Sequence, residues 1–267
     1  MTSRLLSPLA GYVSLWRTLV SQDMAVRYRG TLLGRAWPFV MPVAMLALYG
    51  FVFGAVFRAR WPGLEENDHL GFALNLFLGL LVHGLLAEAV GQAPTLLQRN
   101  SNFVRKIVFP LPVLAGVALG SALIHMLVGV VLVVAVNAIW GSGLYWQALV
   151  TPLVLMPYLL LLYGLALVFT ALGPYLRDLA QVVTVLVMVM LFTGAVFFPR
   201  SMVPSVLSGV VEFNPISWPT EALRQAILHG QLPDAGAWAG YFAVSLLVLA
   251  IGSAVFAALR RGFADVL

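Results

Sequence analysis

Between Leu111 and Ile139 the chain carries no charged side chain. That run exceeds the about 20 mostly apolar residues that cross a bilayer as a helix. Five further segments read the same way: Ala36–Phe57, Leu70–Val90, Ala148–Gly173, Leu179–Phe198 and Trp238–Leu259. Hydrophobic residues make up 61% of the chain and charged residues 9%, against about 25% charged in a soluble domain. A water-exposed fold of this size has no way to hide so much apolar chain. Backbone polar groups have no partners in hydrocarbon, so apolar spans of this length are helices. The expected class is an all-α membrane protein with six transmembrane helices.

Six crossings put both termini on one face, and the basic residues say which. The N-terminal segment, the 92–110 loop, the 174–178 turn and the C-terminus hold five, three, one and two Lys or Arg, eleven together. The other face holds four, Arg58, Arg60, Arg200 and Arg224. Cytoplasmic flanks carry the excess of such residues, which predicts cytoplasmic termini. The acidic residues Glu65, Glu66, Asp68, Glu212, Glu221 and Asp234 fall on the external side. Trp37, Trp61, Trp140, Trp146 and Trp238 sit near span ends, where amphipathic rings prefer the headgroup layer. The opening residues do not read as a cleavable signal peptide, because no short apolar core precedes a small-residue cleavage site.

Three segments are not simple spans. Residues 1–35 contain an amphipathic stretch in which Leu15, Leu19, Val26 and Leu33 recur at near-helical spacing beside Trp16 and Val20. Arg17, Asp23, Arg27 and Arg29 supply its polar side. Such a helix lies in the interface with its apolar face in lipid. The remainder, 36–267, forms the spanning domain. Within it, residues 98–108 mix Arg99, Phe103, Arg105 and Lys106 with polar neighbours before Pro110 and Pro112, so a short helix ended by proline is expected there. Residues 199–237 hold five prolines and apolar stretches too short to span. Two short helices, Val203–Phe213 and Ile216–Leu228, broken at Asn214–Pro215, are expected to re-enter the membrane, as backbone can where protein or a cavity surrounds it.

Catalytic chemistry has no visible carrier. The chain has no cysteine, and its single lysine, Lys106, lies in no phosphate-binding loop. His69, His83, His125 and His229 show no metal-ligand spacing. Glu88, near a span end, and His83 and His125, within spans, are the intramembrane ionisable groups, which by default invite a functional reading. A secondary transporter more often shows several buried carboxylates, and this chain shows one. Gly50–Gly54 and Gly116–Gly120 allow close helix approach, within the chain or between two copies. Pro152 and Pro157 predict a kink in the fourth span. Arg177 and Asp178 read as a charge pair anchoring the turn after Pro174.

The run Arg27-Tyr28-Arg29-Gly30-Thr31-Leu32-Leu33-Gly34-Arg35-Ala36-Trp37, followed by Pro38 and Pro42, resembles the start of ABC-2 type permeases, and within them the polysaccharide and polyol-phosphate exporters of O-antigen, capsule and teichoic acid. Tyr175-Leu176-Arg177-Asp178-Leu179 resembles that family's turn between spans four and five. Phe197-Phe198-Pro199 and Asn214-Pro215 resemble its re-entrant region, and Gly262-Phe263-Ala264-Asp265-Val266-Leu267 its ending. The likeness covers the whole chain in order and lies nearer the O-antigen and teichoic-acid branch than the capsule branch.

The resemblance implies a multi-pass protein of the bacterial inner membrane, working as a homodimer above two copies of a separate ABC ATPase. ATP and Mg would bind that partner, and this chain would hold no cofactor and no nucleic acid. Trp16, Arg27, Tyr28 and Arg29 of the interfacial helix, and Arg99, Phe103, Arg105 and Lys106, would form the coupling surfaces. Pro199, Asn214 and Pro215 would belong to an external gate. The cargo would be a lipid-linked glycan sliding past aromatic residues, for which Tyr49, Phe53, Phe192 and Phe197 are candidates, with Tyr158 and Tyr163 also available. A drug or lipid exporter of the same family is the nearer alternative, and a secondary transporter the more distant one.

Overall fold

A computed structural model describes residues 3–57, 61–64, 68–104 and 109–266. Helices dominate, and no strand occurs among the described residues. Five helical stretches are long and apolar enough to cross a membrane: Trp37–Gly54, His69–Arg99, Pro112–Trp140, Trp146–Leu172 and Ala235–Gly262. They fall on five of the six expected segments. The remaining one is shorter than expected. Helix α8, Leu179–Thr193, has 15 residues, about 22 Å at 1.5 Å per residue, against a hydrocarbon core of about 30 Å. It stops because Gly194 turns to an extended conformation.

The N-terminal helix α1, Ser3–Arg27, leads through a turn into α2, Trp37–Tyr49. α2 then widens into a π-helical stretch, Gly50–Val56, in which the Phe57 N–H reaches back to the Val52 carbonyl at 2.9 Å. Helix α3, His69–Gly91, is the hub. It is apolar on all sides, as a helix buried among others must be. Of its most apolar window 61% is buried, against 11% for α2 and 17% for the last long helix, α11, Ala235–Leu259. Leu78, Val82, Leu85, Leu86 and Ala89 of α3 form the centre of the core. Short helices α4, Leu96–Arg99, and α5, Ser101–Val104, precede α6, Pro112–Trp140.

Helix α7, Thr151–Leu172, pairs along its length with α11. Small residues let the two backbones touch: a Cβ built on Gly164 would lie 2.8 Å from the Leu249 backbone. Gly252 stands against the Gly164 carbonyl in return. Pro152 occupies the first turn of α7, where its missing N–H costs nothing, and only Pro157 is internal. Helices α9, Ser205–Phe213, and α10, Ser217–Leu228, follow α8, and α12, Phe263–Val266, closes the chain. The expected break at Asn214–Pro215 therefore separates two short helices, as read from the sequence.

The connections gather at two ends. One, the near end, collects α1, the 92–111 segment, the 173–178 turn and the C-terminus. The Tyr175 hydroxyl donates to the Leu259 carbonyl at 3.1 Å, its ring lies 6.3 Å from Phe263, and Gly173 abuts the Pro94 backbone. The opposite, far end collects residues 61–64, the 141–150 connection and the links around α10.

Candidate functional site

A chain of polar contacts at the near end ties α1 to α3 and α6. Arg27, the last residue of α1, pairs with Glu88 of α3 and with Asp23 one turn back at 3.2 Å. The second Glu88 oxygen lies 2.8 Å from Nδ1 of His125 on α6. Nε2 of that imidazole lies 2.8 Å from the Tyr28 hydroxyl. Two side chains, Arg27 and His125, thus meet on the Glu88 carboxylate, and Asp23 and Tyr28 join the chain through them. Burial by itself lowers the Arg27 pKa, but the Glu88 and Asp23 carboxylates overcome it and hold the guanidinium above its ordinary value. Tyr28, Glu88 and His125 form the polar mouth of a cleft of about 310 Å³, whose apolar walls come from α2, α3 and α6. The sequence reading placed Asp23 and Arg27 on a polar face of α1. Here Arg27, still exposed like Arg17 and Arg29, reaches across to Glu88, and Asp23 pairs with Arg27 from one turn back. Glu88 and His125, read singly from the sequence, prove to be partners.

The glycines of α6 have a specific occupant. The Trp16 indole N–H donates to the Gly116 carbonyl at 2.7 Å, and a Cβ on Gly120 would sit 2.6 Å from Trp16 Cζ2 and 2.8 Å from Val20 Cγ2. Close approach at Gly116 and Gly120 therefore serves α1–α6 packing inside the chain. Gly50 and Gly54 likewise face Ala73 and His69 of α3. Beside α1 run residues 98–104 of the 98–108 segment. Leu19, Gln22 and Val26 of α1 and Leu96, Asn100 and Phe103 line a shared cleft of about 240 Å³. Phe103 stacks on Phe109 with ring centroids 4.5 Å apart, and Arg99 is exposed. Arg105 and Lys106 lie outside the described residues. Arg177 and Asp178 are both exposed, and no ion pair joins them, which corrects their reading as a turn-anchoring pair. The anchor of that turn is Tyr175.

At the far end Asn214 ends one helix and starts another. Its side-chain amide donates to the Met190 carbonyl at 2.9 Å and to the Thr193 hydroxyl at 3.0 Å, and its oxygen accepts the Ile216 N–H at 3.1 Å. The Pro215 carbonyl accepts from the Tyr241 hydroxyl at 2.7 Å. Pro199 is buried in the same region. Arg224, counted from the sequence as an external flank charge, is 2% exposed. It donates to the carbonyls of Asn75 at 2.9 Å, Ala195 at 2.6 Å and Val196 at 2.7 Å, and pairs with Glu221 at 3.2 Å. Its guanidinium stacks 4.5 Å from the Trp61 ring. Trp61 is 6% exposed, its ring packed on Arg224 and Phe72.

The four candidate aromatics come together. Tyr49, Phe53 and Phe197 pack around the Trp61–Phe72–Leu76 cluster, and Phe192 stacks on Phe197 at 5.6 Å. Tyr49 also reaches Phe77, and Phe53 stacks on Phe72 at 6.0 Å. Tyr158 and Tyr163 are elsewhere. The Tyr158 hydroxyl, fully buried, donates to the Val82 carbonyl at 2.9 Å, and Tyr163 donates to Pro112 at 3.2 Å. Those two are packing residues.

Residues 14–228 match the family model of the ABC-2 type transporter. The chain is 26% identical over 264 residues to an O-antigen export system permease protein RfbA of Myxococcus xanthus, covering 98% of each. It is 23% identical over 260 residues to an RfbA of Klebsiella pneumoniae, covering 96% of each. With the polysialic acid transport protein KpsM of Escherichia coli it shares 24% identity over 243 residues, 89% of this chain and 90% of that one. The family match takes in α2 to α10, including the Asn214–Pro215 break and Arg224, and the relatives align nearly end to end. The chain belongs to the ABC-2 type transporter family.

Proposed function

We propose that this chain is the membrane permease of an ATP-driven exporter that moves a lipid-linked polysaccharide, O-antigen foremost and capsular polysaccharide next, across the bacterial inner membrane. The observation that carries the reading is the end-to-end likeness to O-antigen export permeases over 98% of the chain. The chain holds no nucleotide-binding loop, so hydrolysis of Mg-bound ATP falls to a separate ABC ATPase. Two copies of that subunit would dock under two copies of this one, at the near end, which faces the cytoplasm together with both termini. The coupling surface consists of α1 and residues 98–108. Their shared cleft supports this, because a partner pressing on one element also meets the other. The Arg27–Glu88–His125–Tyr28 chain would pass that push to α3 and α6.

The 179–234 segment supplies the sixth crossing, with α9 and α10 re-entering from the external side and Pro199, Asn214 and Pro215 shaping the gate. Aromatic faces suit a sliding glycan, since the C–H face of a pyranose is apolar. Tyr49, Phe53, Phe192 and Phe197 line the path in this reading. Deleting the gene and following the cell's glycan tests it. Surface polysaccharide should disappear while the same glycan accumulates inside, and a plasmid copy should reverse both. Undiminished surface glycan in the deletion strain overturns the reading, as does transport by the purified chain without a nucleotide-binding partner.

A further inference from the structure

A second polar concavity lies at the far end, away from the aromatics and the gate. It encloses about 590 Å³ between the start of α3, the loop after α6 and the link after α10. Its walls are held in place. The Asn137 amide donates to the Gly143 carbonyl at 2.8 Å, and the Ser142 hydroxyl donates to the Leu228 carbonyl at 3.1 Å. Gly230, at φ +61°, lies so close to Tyr145 that a Cβ would stand 2.6 Å from its ring. The rim therefore needs no rearrangement to receive a ligand.

The lining chemistry is selective. Planar hydrogen-bonding groups converge from several elements: the Asp68 carboxylate, the Asn75 and Gln231 amides and the His229 imidazole. Asp68 gives one oxygen to the Gly71 N–H at 2.7 Å, and a carboxylate has more acceptor positions than one backbone N–H fills. Asn75 is 1% exposed, donates to Gly71, and leaves its side-chain oxygen without a hydrogen-bond partner. A buried acceptor left unmet costs about 1–3 kcal/mol. His229 is exposed at the rim, and its neutral ring can both donate and accept. Trp140, 70% exposed, and Tyr145 add aromatic faces to the rim. The Asp68 carboxylate in the lining repels a phosphate or carboxylate ligand.

We infer that this far-end pocket binds a neutral pyranose unit, its hydroxyls on Asp68, Gln231 and His229 and its C–H face on Trp140. Paired hydroxyls match planar amide, carboxylate and imidazole groups, each able to meet two neighbouring oxygens, and the apolar sugar face matches the indole. The inference rests on the proposed export function for its meaning, a saccharide site on the exit side, but not for its chemistry.

The test uses the full-length chain in lipid nanodiscs, because maltoside detergents would present the same ligand. Saturation-transfer NMR is recorded with methyl glucopyranoside, methyl mannopyranoside and methyl galactopyranoside, and with sorbitol as an open-chain polyol. At least one pyranoside should bind saturably. Trp140→Ala, and separately the pair His229→Ala and Gln231→Ala, should weaken it by about tenfold, the equivalent of 1.4 kcal/mol. All of these positions line an open rim, and an unchanged melting temperature certifies each variant. Absence of saturable binding by every pyranoside overturns the inference. So does equal binding by sorbitol, or binding that both variants keep. A deletion strain with normal surface glycan would instead strike the export reading and leave pyranoside binding in nanodiscs untouched.

Discussion

At the residue scale one buried charge, Arg224, and one half-buried charge, Glu88, tie elements together, and their costs differ in kind. Arg224 is fully desolvated and satisfies three backbone carbonyls from α3 and from the end of α8. Arg224→Ala would leave those carbonyls unpaired and Glu221 without its cation. Removing one partner of a buried pair costs about 3–5 kcal/mol. The expected outcome is a large drop in melting temperature and in folded yield, with Arg224→Lys only partly restoring it, since an ammonium lacks the planar fork. A melting temperature within a degree or two of native in Arg224→Ala would show that the knot carries no stability. Glu88 is less enclosed, its side chain 19% exposed. Glu88→Gln keeps the shape but loses the charge, and hydrogen bonds to charged groups contribute about 1.5–3 kcal/mol. Protease cleavage near the turn after α1 should therefore accelerate several-fold, and unchanged cleavage would mean that Trp16 alone holds α1. Neither cluster was legible in the sequence. Arg224 and Asn75 are 149 residues apart and Arg27 and Glu88 are 61 apart, and local spacing carries no trace of such pairings.

At the element scale the sequence spoke most clearly where the signal was local. Proline next to asparagine marked the α9–α10 break, and the apolar runs marked the long helices to within a few residues. It failed where tertiary contact decides: Asn214, from beyond α9, bonds the Met190 carbonyl and the Thr193 hydroxyl at the end of α8. The glycine spacing in α6 was legible as close approach but not as to partner. With the partner known, a sharp contrast follows. Gly120→Leu must displace Trp16 and Val20, and over-packing of this kind costs about 1–3 kcal/mol. A Cβ at Gly84 meets nothing within 4 Å. Limited proteolysis and a cysteine cross-link between α1 and α6 should report loss of α1 docking in Gly120→Leu and normal docking in Gly84→Ala. Docking retained in Gly120→Leu would remove the glycine contact from the account of how α1 is held.

At the scale of the whole molecule, the proposed six-crossing topology rests on one hydrogen bond and one helix length. The Tyr175 hydroxyl on Leu259 pins the turn after α7 to the end of α11, so those two points share a face. The stretch Ala235–Gly262 is 28 residues long, about 42 Å at 1.5 Å per residue, and so covers the whole apolar thickness. In the proposed topology its start lies at the opposite face. The chain between Leu179 and Asp234 then travels once from the near face to the far one, although α8 by itself is too short to do so. In that topology the turn residues 194–199, with α9 and α10, make up the difference. The absence of native cysteine makes this directly measurable. In intact spheroplasts a membrane-impermeant maleimide should label Gln231→Cys and leave Arg177→Cys unlabelled, and detergent should expose the second. Both side chains are exposed in the fold, so silence at Arg177 would report the membrane and not burial. Labelling of both positions from the same side would mean that the 179–234 segment returns to the face it left, and the six-crossing topology would fall with it.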